Sequence, residues 1–189
     1  MALPTETVGI LGLGLIGGSL ASALRSSGFS RHFIGYGYRD NSLRRGVELG
    51  VIDDFTLDLD ELLERSDILV ICAPTLVAAD LLKDILQRSA GSAQGPVITD
   101  AASVKGSLLS AAREVCGGEI PSRLVLGHPI AGSERSGVDA SSADLYVNHR
   151  VILTPVPEND AQALALVRDM WISTGAEVVE MDVAQHDAV

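Results

Sequence analysis

A glycine-rich turn near the start of the chain restricts the possible folds more than any other feature. The apolar run Val8–Leu11 predicts a short buried strand, and a helical pattern begins directly after the turn that follows it. Residues 12–17 read GLGLIG, which is the G-x-G-x-x-G spacing of dinucleotide-binding turns. We predict that the following motif residues contact a dinucleotide: Gly12, Gly14, Leu15, Ile16 and Gly17.

The physical requirements of such a turn explain the position of each glycine. Gly12 permits the tight turn from strand to helix, Gly14 lets the backbone approach a pyrophosphate, and Gly17 lets the helix pack on the strand. The free N–H groups at the start of the helix would bind the anion. A glycine-rich turn without a ligand is the alternative, because the chain contains 19 glycines. The strand before the turn and the helix after it favour the nucleotide site.

Apolar runs and helical patterns alternate along most of the chain. Further strands are predicted at His32–Tyr36, Val51–Asp53, Asp67–Cys72, Pro96–Asp100, Leu124–Pro129, Val151–Pro155 and Ala176–Met181. Helical patterns such as Leu59–Arg65 separate most of these runs. The alternation predicts an α/β fold with a doubly wound, mostly parallel sheet of the Rossmann type. A length of 189 residues suits one domain, and we assign residues 1–181 to a nucleotide-binding domain.

Composition and charge argue against several kinds of partner. A net charge of −11 argues against nucleic acid, which selects basic surfaces. No apolar run approaches the roughly 20 residues that cross a bilayer, and the N-terminus lacks the basic region of a signal peptide. Cys72 and Cys116 are too few for a disulfide framework. We therefore expect a cytoplasmic protein that acts on a small molecule, without a membrane or nucleic-acid partner and without a metal site.

The end of the second predicted strand bears on the choice of cofactor. About 20 residues beyond the last motif glycine, NAD-binding folds usually carry an acidic residue for the ribose 2′-hydroxyl. Here Gly37 holds that place, and Tyr38 and Arg39 follow it. A guanidinium offers a 2′-phosphate a fork of donors, so we predict binding of NADP, or of both NADP and NAD. The alternative is that Asp40 binds the ribose and the nearby arginines face water.

Two later strands end in residues that are expected to face the same crevice. In open α/β sheets the ligand binds outside the carboxyl ends of the strands, at the point where the strand order reverses. The run Asp67–Cys72 leads into a proline turn at such an end, and the run Pro96–Asp100 is the next strand. We predict additional cofactor contacts from Ala73, Pro74, Thr75 and Asp100.

His128 is the candidate for acid–base chemistry. It lies at the end of a predicted strand and precedes a small, polar loop. An imidazole at this edge has a pKa near working pH and can accept a hydroxyl proton as hydride leaves the same carbon. Ser103, at the start of a predicted helix, would bond the substrate oxygen or orient the imidazole. The alternatives are a structural role for His128 and an N-cap role for Ser103.

Three more residues are candidates for contact with the substrate. Ser133 and Glu134 lie in the polar loop after His128 and would sit over the pocket. Lys105 would pair with a substrate carboxylate. A solvated Glu134 and a solvent-facing Lys105 are the alternatives. The pair His186–Asp187 near the end of the chain receives no assigned role.

Five sequence blocks follow one another along the chain: GLGLIGGSLA at 12–21, TDAASVKG at 99–106, GHPIAGSERSG at 127–137, VILTP at 151–155 and HDAV at 186–189. These blocks resemble the prephenate/arogenate (cyclohexadienyl) dehydrogenase family of tyrosine biosynthesis. The resemblance implies oxidative decarboxylation of prephenate to 4-hydroxyphenylpyruvate, or of arogenate to tyrosine, with NAD or NADP taking the hydride. It also implies that His128 accepts the ring hydroxyl proton, that Ser103 assists, and that Ser133 and Glu134 belong to the substrate pocket.

The resemblance implies a further part that this chain lacks. The family usually continues beyond the HD pair into an all-helical domain, which forms the homodimer and closes the pocket. Here residues 182–189 predict only the start of the linker helix to that domain. We expect a truncated form with weakened or absent activity, which is a monomer or a weak dimer unlike that of the family.

Two other functions stay open. A dehydrogenase of the 3-hydroxyacid or 6-phosphogluconate type shares the fold, although the block at 127–137 argues against it. A module that binds NAD(P) without turnover needs no helical domain, since the fold does not by itself confer a reaction.

Overall fold

Five parallel strands form the central sheet of the computed structural model, which describes residues 5–90, 92 and 94–189. The strands are β1 (Thr7–Leu11), β2 (His32–Tyr36), β3 (Asp54–Thr56), β4 (Ile68–Ile71) and β5 (Val97–Asp100). Their order in the sheet is β3-β2-β1-β4-β5. Because β1 pairs with β2 on one side and with β4 on the other, the strand order reverses beside β1. The glycine-rich turn after β1 lies at this switch point, where α/β sheets bind ligands.

Helices connect the strands and cover both faces of the sheet. They are α1 (Leu15–Ser27), α2 (Asn41–Glu48), α3 (Leu59–Arg65), α4 (Thr75–Arg88), α5 (Gly106–Val115), α6 (Ala161–Ser173) and α7 (Val183–Asp187). The longest of them, α4, has 14 residues. In the part of the chain that the structure describes, no helix has the length and apolarity that a membrane span requires.

A smaller, three-stranded sheet follows the central one. It consists of β6 (Gly127–Ile130), β7 (Arg150–Leu153) and β8 (Glu177–Glu180), with β6 antiparallel to β7 and β7 parallel to β8. The segment just before β6 runs alongside β5, since the N–H of Val125 donates to the carbonyl of Ile98 at 2.9 Å. The five central strands confirm the prediction of a doubly wound, mostly parallel sheet, and the antiparallel pairing found among the described residues is that of β6 with β7.

Alternate residues along the central strands supply two separate hydrophobic cores. All four residues of β4 are buried. Ile68 and Val70 belong to the core that includes residues of α1 and α6, whereas Leu69 and Ile71 belong to the core that includes residues of α3, α4 and α5. A strand covered on both faces needs a continuous apolar run, which is the pattern that the sequence shows here.

The strand predicted at Val51–Asp53 is wrong, because these residues close the end of α2 instead. The N–H groups of Val51 and Ile52 donate to the carbonyl of Gly46 at 2.9 and 3.3 Å. The Asp53 carboxylate accepts from the N–H of Phe33 at 2.8 Å. β3 (Asp54–Thr56) begins three residues after the predicted start of the strand.

An aromatic pair joins α6 to the glycine-rich turn. The rings of Tyr146 and Trp171 meet edge to face, with 5.2 Å between their centroids, and both side chains are fully buried. The Tyr146 hydroxyl donates to the carbonyl of Ile16 at 2.7 Å. The segment between β6 and β7 is thereby anchored beneath the first turn of α1.

Replacing Trp171 with alanine is expected to lower the free energy of unfolding by about 3–5 kcal/mol, because it removes a large buried side chain and leaves a cavity. The matched control is Ile172→Ala in the same helix, where the side chain is 51% exposed and the change should stay within about 0.5 kcal/mol. Urea unfolding followed by circular dichroism measures both. Equal losses in the two variants would contradict this account of the core.

Candidate functional site

The geometry of the glycine-rich turn matches the predicted role of each glycine. Gly12 has φ +94°, and a Cβ there would lie 2.5 Å from the carbonyl oxygen of Cys72. A Cβ on Gly17 would overlap the carbonyl oxygen of Gly12. By contrast, nothing lies within 4 Å of the Cβ position of Gly14. The first and third glycines are therefore required by close packing, whereas the second leaves open space next to the backbone.

The N-terminus of α1 opens onto this space. The helix begins at Leu15, and among the described residues no side chain caps its first turn. The first N–H groups of an α-helix have no partner within the helix, and the aligned peptide dipoles make this end positive. The turn and the helix together therefore form an anion site of the kind that binds a pyrophosphate.

A crevice of about 470 Å³ lies in front of the turn. Three segments form most of its walls: the start of α1, the end of β4 with the first residue of α4, and the loop that follows β5. It brings together these predicted site residues: Gly14, Leu15, Ile16, Ala73, Pro74, Thr75 and Ser103. Residues 135–137, from the polar loop after β6, complete the lining. Arg135 in that loop was not among the sequence candidates.

Tyr38 and Arg39 follow β2, and both are exposed. Arg39 forms no ion pair with any residue that the structure describes. Its neighbours differ: Arg44 donates to the Asp40 carboxylate at 2.8 Å, and Arg45 donates to the Asp139 carboxylate at 2.8 Å. Asp40, the alternative partner for the ribose, is thus bonded to Arg44, while the Arg39 guanidinium faces solvent.

The structure places Asp100 and Lys105 in a buried ion pair, so the solvent-facing alternative for Lys105 is wrong, and the predicted contacts of the two residues with cofactor and substrate stay predictions. Both side chains are almost completely buried. The Asp100 carboxylate also accepts from the N–H of Gly127 at 3.0 Å, and the Lys105 ammonium donates to the carbonyl of Gly127 at 2.6 Å. Burial lowers the pKa of Lys105, and the charge of Asp100 opposes this shift. The pair thus bonds both the N–H and the carbonyl of Gly127, the residue that precedes His128.

His128 lies on β6, half-buried, at the carboxyl-end edge of β5. Its Nδ1 lies 2.9 Å from Nε2 of His186, and the two rings meet edge to face. The other side of His128 opens onto a shallow cleft that it shares with Pro129–Gly132 and His149. Burial lowers the pKa of His128 below its ordinary value, and the positive Lys105 lowers it further. The imidazole is therefore neutral, and able to accept a proton, near neutral pH.

Asp187, near the end of the chain, occupies the position expected for a cap of α5. Its carboxylate accepts from the N–H of Lys105 at 2.9 Å and from the N–H of Gly106 at 2.7 Å. Because α5 begins at Gly106, Ser103 precedes the helix by three residues and is not its N-cap. Ser103 is left exposed on the wall of the crevice. The sequence could not indicate this, since the capping group is about 80 residues away along the chain.

The polar loop after β6 carries the other two predicted substrate contacts. Ser133 and Glu134 are both exposed. The Ser133 hydroxyl accepts from the N–H of Arg135 at 3.0 Å, which closes a local turn. Arg135, Ser136 and Gly137 of this loop line the crevice, whereas Ser133 and Glu134 do not.

A crevice built from a glycine-rich turn, at the switch point of a doubly wound parallel sheet, defines a nucleotide-binding domain of the Rossmann class. Comparison with known families agrees. The family described as "Prephenate dehydrogenase, nucleotide-binding domain" matches residues 20–180. The chain therefore belongs to the prephenate dehydrogenase family.

Individual relatives support the same assignment. The prephenate dehydrogenase of Bacillus subtilis is 33% identical over 186 residues, and the cyclohexadienyl dehydrogenase of Zymomonas mobilis is 30% identical over 186 residues. The matches cover 97% and 96% of this chain, but 48% and 60% of those proteins. This chain thus spans about half to three fifths of the length of these relatives.

A solved structure extends the likeness to the fold. The crystal structure of prephenate dehydrogenase from Aquifex aeolicus, in complex with hydroxyphenyl propionate and NAD⁺, superimposes with a TM-score of 0.85 at 34% identity. The match covers 99% of this chain and 63% of that one. Sequence blocks and topology therefore point to the same family.

Replacing Lys105 with methionine is expected to lower the free energy of unfolding by about 3–5 kcal/mol, because the Asp100 carboxylate would stay buried without its counter-charge. The control is Lys83→Met, which removes a partly exposed pair with Glu114 and should cost no more than about 1 kcal/mol. Chemical unfolding of both variants at neutral pH measures the difference. A Lys105 variant as stable as the Lys83 variant would contradict the assigned role of the pair.

Proposed function

We propose that this chain is the NAD(P)-binding part of an enzyme that oxidatively decarboxylates prephenate or arogenate, with His128 as the base. One observation carries the proposal: a half-buried histidine lies at the same sheet edge as the nucleotide crevice. β6 is joined to the end of β5 through the bond from Gly127 to Asp100. The residues that follow Asp100 line the crevice.

The residues of the crevice fit a dinucleotide. Gly14 leaves room for a pyrophosphate next to the backbone, and the uncapped first turn of α1 supplies N–H donors for it. We propose that Ala73, Pro74 and Thr75 line the path toward the nicotinamide end, because they follow β4 on the other side of the switch point. Bound NAD(P)⁺ would accept the hydride from the substrate.

His128 would take the proton from the ring hydroxyl of the substrate while hydride leaves the same carbon. The electrons of the bond to the leaving carboxylate then pass into the ring, carbon dioxide departs, and the aromatic oxygen takes back a proton. Aromatisation supplies the driving force, so the protein need only place the groups and move one proton. Ser103, on the crevice wall, is proposed to bond the substrate hydroxyl.

Ser133 and Glu134 are proposed to approach the substrate from the exposed loop after β6. The structure leaves both side chains at the surface, where a further part of the protein could cover them. The relatives extend well beyond the part that this chain matches. We propose that a helical domain completes the pocket and forms the homodimer in the longer proteins, and that residues 182–189 begin the link to it. A nucleotide-binding module without turnover is the corresponding function of this chain alone.

We propose that NADP is bound at least as well as NAD. Arg39 supports this, because its guanidinium is exposed at the end of β2, where the ribose 2′ position is read in this fold. Asp40, which would favour NAD, is held by Arg44.

The variant His128→Asn tests the proposed base. It should lower kcat for oxidation of prephenate or arogenate by about 10²-fold or more, because no group then accepts the proton, while the affinity for NAD(P) should be unchanged. In the unchanged protein, kcat/KM should fall only as the pH drops below the ordinary pKa of histidine, since the pKa of His128 is lowered. Absorbance of the reduced nicotinamide follows turnover.

A His128→Asn variant with full turnover would disprove the role of this residue. Binding of NAD(P) by the unchanged chain without turnover of either substrate would instead leave it a nucleotide-binding module.

The variant Arg39→Ala tests cofactor choice. It should weaken NADP binding at least tenfold, which is about 1.4 kcal/mol, and leave NAD binding unchanged, because only NADP carries the 2′-phosphate. Arg88→Ala is the control, since that arginine lies at the end of α4 and pairs with Asp60 and Asp84, so its loss should leave both affinities unchanged. Calorimetric titrations of both nucleotides measure the effect. Tighter binding of NAD than of NADP by the unchanged chain would contradict the proposal.

A further inference from the structure

A chain of hydrogen bonds connects His128 to the C-terminal end of the described chain. Nδ1 of His128 lies 2.9 Å from Nε2 of His186, and Nδ1 of His186 lies 2.7 Å from Oδ1 of Asp187. His186 is buried, whereas Asp187 is partly exposed. The sequence placed these two residues next to each other but gave no reason to connect them with His128, which is 58 residues away.

The Asp187 carboxylate, which ends this series of hydrogen bonds, is fixed in place and ionised. Two backbone N–H groups at the start of α5, from Lys105 and Gly106, donate to its two oxygens. Although burial acts to raise the pKa of Asp187, these N–H bonds and the bond from His186 lower it below its usual value. An ionised carboxylate can only accept hydrogen bonds. Nδ1 of His186 must therefore carry a proton.

The proton on Nδ1 of His186 determines which nitrogens carry the other protons along this series of hydrogen bonds. In a neutral imidazole only one nitrogen carries hydrogen, so Nε2 of His186 is an acceptor. It must receive its hydrogen bond from Nδ1–H of His128. Nε2 of His128 then keeps a free lone pair, which is the form that a general base requires. A doubly protonated His186 would give the opposite result, with the proton of neutral His128 on Nε2.

We propose that His186 and Asp187 are positioning residues that hold His128 in the Nδ1–H tautomer, so that its Nε2 accepts the substrate proton. This inference rests on the proposed role of His128 as the base. The hydrogen bond from His128 to His186 also fixes the rotation of the His128 ring. The backbone beside His128 is already held by the bonds of Asp100 and Lys105 to Gly127. A second imidazole between base and carboxylate also lets the positive charge formed on His128 be shared with His186, nearer to Asp187.

In the described part of the chain, the charged groups that face His128 are Lys105, Asp100 and Asp187, and each already has a partner. Lys105, just before α5, and Asp100 of β5 neutralise each other next to Gly127. Asp187 of α7 accepts hydrogen bonds from His186 and from the backbone at the start of α5. Among the described residues, only His186 offers a side-chain hydrogen-bond partner to the ring of His128. The tautomer of His128 therefore depends on His186 alone.

The tautomer can be measured directly on this chain, without any assay of turnover. Two-bond ¹H–¹⁵N correlation spectra of the ¹⁵N-labelled protein distinguish the two neutral forms of an imidazole. We expect His128 as the Nδ1–H form in the unchanged protein, and a mixture of both forms in His186→Leu, which offers no acceptor. His186→Gln should restore the Nδ1–H form, because its amide oxygen can accept the bond. His32→Leu, at the start of β2, is the control and should leave the His128 signals unchanged.

Kinetic measurements on the same variants test the consequence. Where the unchanged protein turns over substrate, His186→Leu should lower kcat on the order of 10- to 100-fold, and His186→Gln should recover most of it. A role in stability alone would lower the free energy of unfolding in both variants without the recovery in kcat. A His128 that carries its proton on Nε2, or that keeps Nδ1–H in His186→Leu, would overturn the inference. Absence of turnover in the unchanged chain would leave it a nucleotide-binding module, while the spectra would still decide the tautomer.

Discussion

The buried ion pair between Asp100 and Lys105 is the interaction on which the candidate site depends. It joins the end of β5 to the start of α5, and both charges also bond the peptide groups of Gly127. Two buried charges are stable only when they are paired and their remaining hydrogen-bonding groups are satisfied, and the peptide groups of Gly127 help to satisfy them. The strand that carries His128 is thereby fixed relative to the nucleotide crevice. Asp187 bonds the backbone of Lys105, so the last helix is attached to the same cluster.

The two sheets of the domain contribute different parts of the candidate site. The central parallel sheet creates the crevice, because its strand order reverses beside β1 and the carboxyl ends of β1 and β4 diverge there. The segment that leads into β6 runs parallel to β5, so β6 brings His128 to the edge of that crevice in the same chain direction. A side chain on a strand whose backbone is bonded on both sides is placed more rigidly than one on a loop.

Much of the fold could be predicted because its signals are local. The helix predicted at Leu59–Arg65 coincides with α3, and the buried run around Ile68–Ile71 is β4. The strand predicted at Val51–Asp53 failed, since an apolar pair that caps a helix has the same composition as a short strand. The burial of Lys105 could not be predicted for a related reason. A lysine between a valine and a glycine gives no indication that a buried carboxylate lies within reach.

The sequence by itself determined the class of fold, the nucleotide turn and the family, because glycine spacing, apolar periodicity and ordered motif blocks are properties of neighbouring residues. It also identified His128 as the candidate base. Only the tertiary structure revealed what surrounds that histidine. The contacts of Gly127 with the Asp100–Lys105 pair, and of His128 with His186, join residues that are 22 to 58 positions apart. Such contacts arise when packing brings distant segments together, and no local pattern in the chain encodes them.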